Sequence, residues 1–538
     1  MLDVVVTGGT VYDGAGGSGR RADIGVRGDR VAVIGDLAGE GDAGEVIDAA
    51  GMAVAPGFIN PLSHSYFSIL KDPRSLGELL QGVTTQAFGE GDSMGPLNGE
   101  MRVALGQRLS RLGLDVSWER LSEFLALLER RGTSQNVCSF VGATTVREHV
   151  IGSGQRPASE RELEAMCRLV DEEMADGALG VGSALIYPPG TYASTEELVE
   201  LCRVAAAHGG SYISHLRSEG DRLLEALAEL LEISERAGLP AEVFHLKAIG
   251  RDNWPRFDSA IELIEKARAS GAAITADAYP YIAGETNLQV CFPPYMHDGG
   301  YEALRRRLAD PAGRAAAKSA MVTPDDSWEN MYLGCGGPDG ILVLHATGPY
   351  RHFAGKRLSE VAAELGTDPP EAVARLVESA PDVRGSIMCA FFMMSEDNVE
   401  KVMRLGWVSL GSDARSGAAE PPWSDEPTHP RAYGCFARFL GHYVRERGVC
   451  SLSEAVRRLS ALPAANLGLS GRGRLVEGCF ADVVVFDPDA IVDRATYEQP
   501  HRYATGVRAV LVNGSVVVRD GEFTGRLAGR HLRRNRVG

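Results

Sequence analysis

The chain has 538 residues, of which 44% are hydrophobic and 24% charged, and carries a formal net charge of −17. This composition supports a sizeable core and excludes wholesale disorder, while the acidic balance excludes a nucleic-acid groove, which needs a basic patch to displace counterions. The length calls for several domains or one large α/β barrel with additions.

The opening stretch "MLDVVVTGGTVYDG" has no basic segment leading into an apolar core, and no run reaches the roughly 20 apolar residues of a membrane span. The expectation is a cytoplasmic protein that acts on a small molecule, without membrane or nucleic-acid partners; oligomeric state is not legible. Residues 1–55 read as short strands broken by Gly and Asp-Gly turns, as in "ADIGVRGDRVAVIGDL". Residues 475–538 repeat that texture in "GCFADVVVFDPDAIV" and "AVLVNGSVVVRDGEF". Neither group can close a core alone, so the two are expected to pair into one small β-sandwich with the middle of the chain inserted between its halves.

Residues 56–474 alternate apolar strands with helix-forming stretches, the pattern of a parallel sheet with crossover helices. Eight strands are expected, at "VAPGFINPL", "TTQAF", "NVCSFVGA", "LGVGSAL", "SYISHLR", "AEVFHLKA", "AITADAYP" and "WVSLGSDA". The fold class is therefore α/β, a (β/α)8 TIM-like barrel. Residues 292–340, rich in Pro, Gly and Asp, read as an inserted subdomain or lid near the barrel mouth. The tail "GRHLRRNRVG" reads as a solvated end. The nine scattered cysteines lack any CxxC pair, so neither a disulfide framework nor a cysteine-rich zinc knuckle is expected.

In such a barrel, chemistry sits at the carboxyl ends of the strands. His215, His245 and Asp413 each end a candidate strand, and two imidazoles with a carboxylate converging on one mouth suit Zn²⁺ with an open position for water. Alternation along a strand places Arg217 and Lys247 on the faces of His215 and His245, for anion recognition or metal-bridging chemistry, or else for charge balance.

The stretches "DAAGMAVAPGFI", "QGVTTQAFGEG", "YPPGTYASTEEL", "ISHLRSE", "FHLKAIGRDNW", "DAYPY", "GSDA" and "HPRAYGCFARFLGHYVRE" occur in one order along the chain. By them the chain resembles the N-acyl-D-amino-acid deacylase (D-aminoacylase) group of the amidohydrolase superfamily. The resemblance implies a zinc-dependent amide hydrolase of sandwich-plus-barrel architecture. It assigns His215 and His245 to zinc, Asp413 to acid/base work, and Lys247, Tyr187, Tyr279 and Arg431 to the substrate, with Arg431 gripping an α-carboxylate by its guanidinium fork.

Three departures from the group stand out. Members with two metal sites carry His-x-His where this chain has Leu62 and His64, so the second metal should have no home and one Zn²⁺ per chain is expected. The metal-binding Cys of a Gly-Asn-Cys-Gly turn is replaced by Gly91 in "GEGDSMGP", leaving Glu90, one position earlier, as third ligand, with Asp92 and His64 as fallbacks. Glu285 stands where relatives carry a small hydroxyl residue near the bound carboxylate, so either it points away or the substrate is not an ordinary acyl amino acid. Two other readings stay open: hydrolysis of a cyclic amide or specialised metabolite, and a non-catalytic binding relative.

Overall fold

The computed structural model describes residues 1–37, 44–110, 113–380, 387–421, 423–424 and 428–534. Five strands open the chain, β1 (Val4–Val11), β2 (Arg20–Arg27), β3 (Arg30–Gly35), β4 (Glu45–Asp48) and β5 (Ala53–Pro56). The barrel strands follow: β6 (Phe58–Asn60), β7 (Val83–Phe88), β8 (Asn136–Ser139) continued by β9 (Val141–Gly142), β10 (Gly180–Ala184), β11 (Ser211–His215), β12 (Ala241–Val243) and β13 (Ile274–Ala278). An excursion then carries β14 (Ala283–Asn287), β15 (Ile341–Ala346) and β16 (Ile387–Phe392) before the last barrel strand, β17 (Val408–Leu410). The chain closes with β18 (Val483–Phe486), β19 (Val507–Val512), β20 (Ser515–Arg519) and β21 (Glu522–Phe523).

All eight expected barrel strands are present and run parallel. Strands β7, β10 and β11 are buried along their whole length, as parallel strands covered on both faces must be. The ring closes between its first and last strands, where Asp413 N donates to Leu62 O at 3.0 Å and His64 N to Ala414 O at 2.9 Å. Closure therefore falls beside His64 and Asp413. Ile59, Leu62, Phe140, Ile213 and Phe244 fill the barrel interior with Leu467 and Leu532, so it is a packed core whose chemistry is confined to its rim.

The two ends of the chain form one nine-stranded sheet, joined where β5 pairs antiparallel with β18. Backbone bonds from Val31 N to Cys479 O and from Ala481 N to Asp29 O return the far edge onto the segment before β18. The sheet thereby encloses a core of Val4, Val6, Ile24, Val26, Val483 and Val485, while Val484, Phe486, Val510 and Val512 alternate to the other face and pack on the barrel. A buried polar knot ties the two bodies. Arg472 is paired with Asp482, Asn513 N donates to Asp482 Oδ1 at 2.8 Å, and Asn513 Nδ2 donates to Asn136 Oδ1 on β8 at 2.7 Å.

The region between β13 and β17 is larger than the irregular stretch 292–340 alone. That stretch holds the helices Tyr301–Ala309 and Pro311–Val322, but β15 and β16 follow it and pair with β14 in an antiparallel sheet of order β14-β16-β15. The tail is a clear correction: residues 529–534 are not a solvated end. Leu532 N donates to Val137 O at 2.8 Å and Val137 N to Arg530 O at 2.9 Å, and Leu532 is buried in the barrel interior, so backbone pairing and apolar burial outweigh the charge. Residues 535–538 of that tail lie outside the described residues. No helix among the described residues is long and apolar enough to cross a membrane.

Asp482→Ala leaves Arg472 buried without its counter-ion, which costs about 3 kcal/mol or more. Urea denaturation should show that loss, and an unchanged midpoint would mean the knot contributes nothing.

Candidate metal and catalytic centre

The rim of the barrel opens into a cavity of about 710 Å³. Its floor is one connected set of charged groups. Glu90 Oε1 lies 3.0 Å from His215 Nδ1 and 3.0 Å from His245 Nε2, and Glu90 Oε2 lies 2.8 Å from His64 Nε2. The same His64 nitrogen is 3.0 Å from Asp413 Oδ1, and Arg431 Nη1 donates to Asp413 Oδ2 at 2.6 Å. On the far side Lys247 Nζ donates to Glu219 Oε1 at 2.6 Å and sits 2.7 Å from His245 Nδ1.

Local backbone geometry explains how these side chains converge. His215 ends β11, whereas His245 and Asp413 lie just beyond β12 and β17 in the left-handed region, at φ of 36° and 49°. Non-glycine residues held there are strained, and such strain persists where the surroundings over-determine it. Glu90 stands between Gly89 (φ 109°) and Gly91 (φ 69°), in a turn pressed against β10. A Cβ on Gly91 would lie 2.7 Å from the Ala184 Cβ and 3.0 Å from its nitrogen. Position 91 therefore cannot carry a ligand in this chain, and the turn aims Glu90 inward instead.

The electrostatics favour a cation. Burial pushes the carboxyls upward, but ionic and hydrogen-bonding partners outweigh it. Three imidazoles hold Glu90 well below the ordinary range, Arg431 and then His64 do the same for Asp413, and Lys247 with His215 brings Glu219 down to about 2. Burial and the Lys247 ammonium lower His245, yet Glu219 and Glu90 overcome both and lift it to about 10. The anionic floor thus draws protons onto His64 and His245, where a metal ion would otherwise supply the positive charge, while burial holds His215 below its ordinary value.

The donor atoms of Glu90, His215 and His245 all lie within 4.8 Å of one another. Ligands about 2.1 Å from a tetrahedral Zn²⁺ lie roughly 3.4 Å apart, so the 3.0 Å contacts to Glu90 Oε1 are near the spacing that one divalent ion imposes. Among the described residues His215 Nε2 is buried without a hydrogen-bond partner, with Glu219 Oε2 3.5 Å away. The residues present therefore fit a metal.

The chain matches known proteins along its length. A family model described as Amidohydrolase family matches residues 343–518. D-aminoacylase of Alcaligenes xylosoxydans xylosoxydans is 36% identical over 99% of this chain and 98% of its own. The chain belongs to the D-aminoacylase family of amidohydrolases. A solved D-aminoacylase, studied for one-metal activation and second-metal attenuation at its binuclear metal centre, is 35% identical, with a TM-score of 0.81 over 99% of this chain and 100% of that one. N-acyl-D-glutamate deacylase of Bordetella bronchiseptica, solved with zinc and a phosphonate mimic of the tetrahedral intermediate, is 32% identical, with a TM-score of 0.80 over 99% of each chain.

Leu62 is 1% exposed and belongs to the apolar filling of the barrel, so no imidazole is available there. His64 is present but links Glu90 to Asp413. Asp92 lines the cavity but is not among the converging donor sets. Tyr187 stacks edge-on against His215 with ring centroids 5.4 Å apart, and Tyr279 lies under the Arg431 guanidinium at 4.7 Å. Arg431 opens the helix Arg431–Arg438 yet is buried in the site. Arg217 departs from the strand-alternation expectation: β11 ends at His215, and Arg217 instead donates to Glu229 and to the carbonyls of Thr191 and Ala193. It serves charge balance away from the cavity.

Two acids went unread in the sequence. Glu219, four residues after His215 in "ISHLRSE", ties Lys247 to His245, and its spacing from His215 was the available signal. Glu329, from the excursion, accepts hydrogen bonds from the backbone of Glu219 and Gly220; burial and the Glu219 charge push it up to about 8. Nothing in its local sequence marks it.

Elemental analysis after dialysis should find the metal retained by wild type and Asp92→Ala but lost from Glu90→Ala, His215→Ala and His245→Ala. Equal retention in all five proteins would remove Glu90 and both histidines as ligands.

Proposed function

We propose that the protein is a zinc-dependent amide hydrolase that removes the acyl group from an N-acyl-D-amino acid or similar small amide, with one Zn²⁺ held by His215, His245 and Glu90. The observation that carries this reading is the convergence of those three donors beside a carboxylate anchored by Arg431. Support comes from relatives named for D-aminoacylase and N-acyl-D-glutamate deacylase activity, the latter solved with zinc. The division into residues 1–55 with 475–538 as a buttressing sandwich, 56–474 as the catalytic barrel and 292–340 as a lid over its mouth belongs to the same proposal.

A divalent ion bound there supplies Lewis acidity to the scissile carbonyl and to the attacking water. The chain's own groups do the rest. Asp413 accepts the proton of the attacking water and returns it to the leaving nitrogen as the C–O bond forms and the C–N bond breaks. Arg431 keeps Asp413 ionised, and the His64 contact fixes its orientation. Tyr187, edge-on to His215, would donate to the oxyanion. Lys247 and Glu219 hold His245 in place, as outer partners of ligating histidines commonly do.

The cavity also bears on the acyl group. At roughly 30 Å³ per heavy atom, taken from the share of liquid volume that water occupies, an acetylated amino acid of about a dozen atoms leaves much of the 710 Å³ unfilled. One wall is apolar, lined by Tyr66, Phe67, Leu97, Met101 and Leu105, and each buried methylene is worth up to ~0.8 kcal/mol. Longer acyl chains suit it.

Asp413→Asn should lower kcat by about 10²–10⁴-fold with metal content unchanged; wild-type turnover in that variant would remove Asp413 from the chemistry. N-octanoyl substrates should exceed their N-acetyl counterparts at least tenfold in kcat/KM, and the reverse order would assign the apolar wall another role.

A further inference from the structure

Glu285 is one of the acids lining the cavity that the proposed mechanism does not use. It lies on β14, directly opposite Ala390 of β16, and lines the cavity with Tyr279, Met393 and Arg431. Its neighbour Gly284 fixes how close this strand comes to Tyr279, because a Cβ there would stand 3.3 Å from the Tyr279 hydroxyl and 2.8 Å from Met393 Cε. The Glu285 charge is felt at Arg431 and, through the sheet, at Cys389.

Three polar atoms in this corner are buried with no hydrogen-bond partner among the described residues: Arg431 Nε, Tyr279 Oη and Glu285 Oε1. Buried polar groups left unpaired are unfavourable, so a ligand that satisfies all three gains on each count. Arg431 Nε and Tyr279 Oη can donate, whereas a carboxylate oxygen only accepts. A ligand carboxylate also only accepts. It would answer the two donors and leave Glu285 unpaired against a like charge, while the Asp413 contact at 2.6 Å already engages one face of the Arg431 guanidinium. A carboxamide carries an acceptor and a donor side by side and answers all three.

We infer that Glu285 is a specificity-determining residue that selects substrates whose amino-acid carboxyl is masked as an amide, so that the carbonyl oxygen meets Arg431 and Tyr279 and the amide N–H meets Glu285. The inference rests on the amide-hydrolase reading for its substrate class. It makes the substrate a peptide-like or amidated N-acyl amino acid in place of the free acid. Sites built to hydrogen-bond a substrate N–H discriminate strongly against analogues that lack it.

The test compares N-octanoyl-D-leucine with its primary carboxamide at pH 8, in zinc-loaded wild type, Glu285→Gln and Glu285→Ser. Wild type should favour the carboxamide at least tenfold in kcat/KM. Both variants should shrink that ratio at least tenfold, chiefly by gaining activity on the acid, and having two variants keeps the test alive should one fail to fold. Calorimetric binding of D-leucinamide against D-leucine to the same three proteins reads the same selectivity without turnover. If neither octanoyl compound is hydrolysed but the binding preference shifts with position 285, the hydrolase reading falls and the role of Glu285 stands. If the acid is preferred, or the ratios in both assays ignore the substitutions, the inference is overturned.

Discussion

One carboxylate, Glu90, shared among three imidazoles holds the functional end of this molecule together. His64, His215 and His245 arrive from three different strands, and without a common acid between them their rings would have no reason to face one another in a buried place. The cluster has to be desolvated to be useful, and desolvation alone would drive every member toward its neutral form. Interlocked opposite charges resist that drift and keep the acids ionised. Burial, ionisation and cation affinity are therefore one property of the site.

The route by which Glu90 came to this position illustrates how tightly the barrel constrains its rim. Gly91 is pinned against β10 and Leu62 is part of the interior packing, so neither position presents a ligand to the site. A carboxylate on the adjacent residue, swung inward by two glycines with positive φ, is the remaining solution on this backbone.

Much of this was legible in the sequence, and the limits are instructive. The eight barrel strands could be read because parallel strands buried on both faces are continuous apolar runs, and the strand-end positions of His215, His245 and Asp413 follow from that reading. What escaped depends on contacts between distant segments. Glu329 reaches the site from an excursion whose path is set by packing on the barrel. Arg217 defeats a period-two argument because the strand stops two residues before it. Leu532 lies within an Arg-rich tail that local composition assigns to solvent, yet its backbone finds an edge on β8. Arg431 could be placed by resemblance, but its burial against Asp413 is invisible in a one-dimensional reading.

The pairing of β5 with β18 and the docking of residues 529–534 on β8 impose an order on biogenesis. As the nascent chain leaves the ribosome, the first five strands and the whole barrel emerge before the partners that complete them exist. One edge of the amino-terminal sheet and the floor of the cylinder stay uncovered until synthesis is nearly finished. Exposed strand edges and apolar surface invite wrong partners, so the last sixty or so residues work as a seal applied after everything else, and a chain released early would be left sticky as well as unfinished.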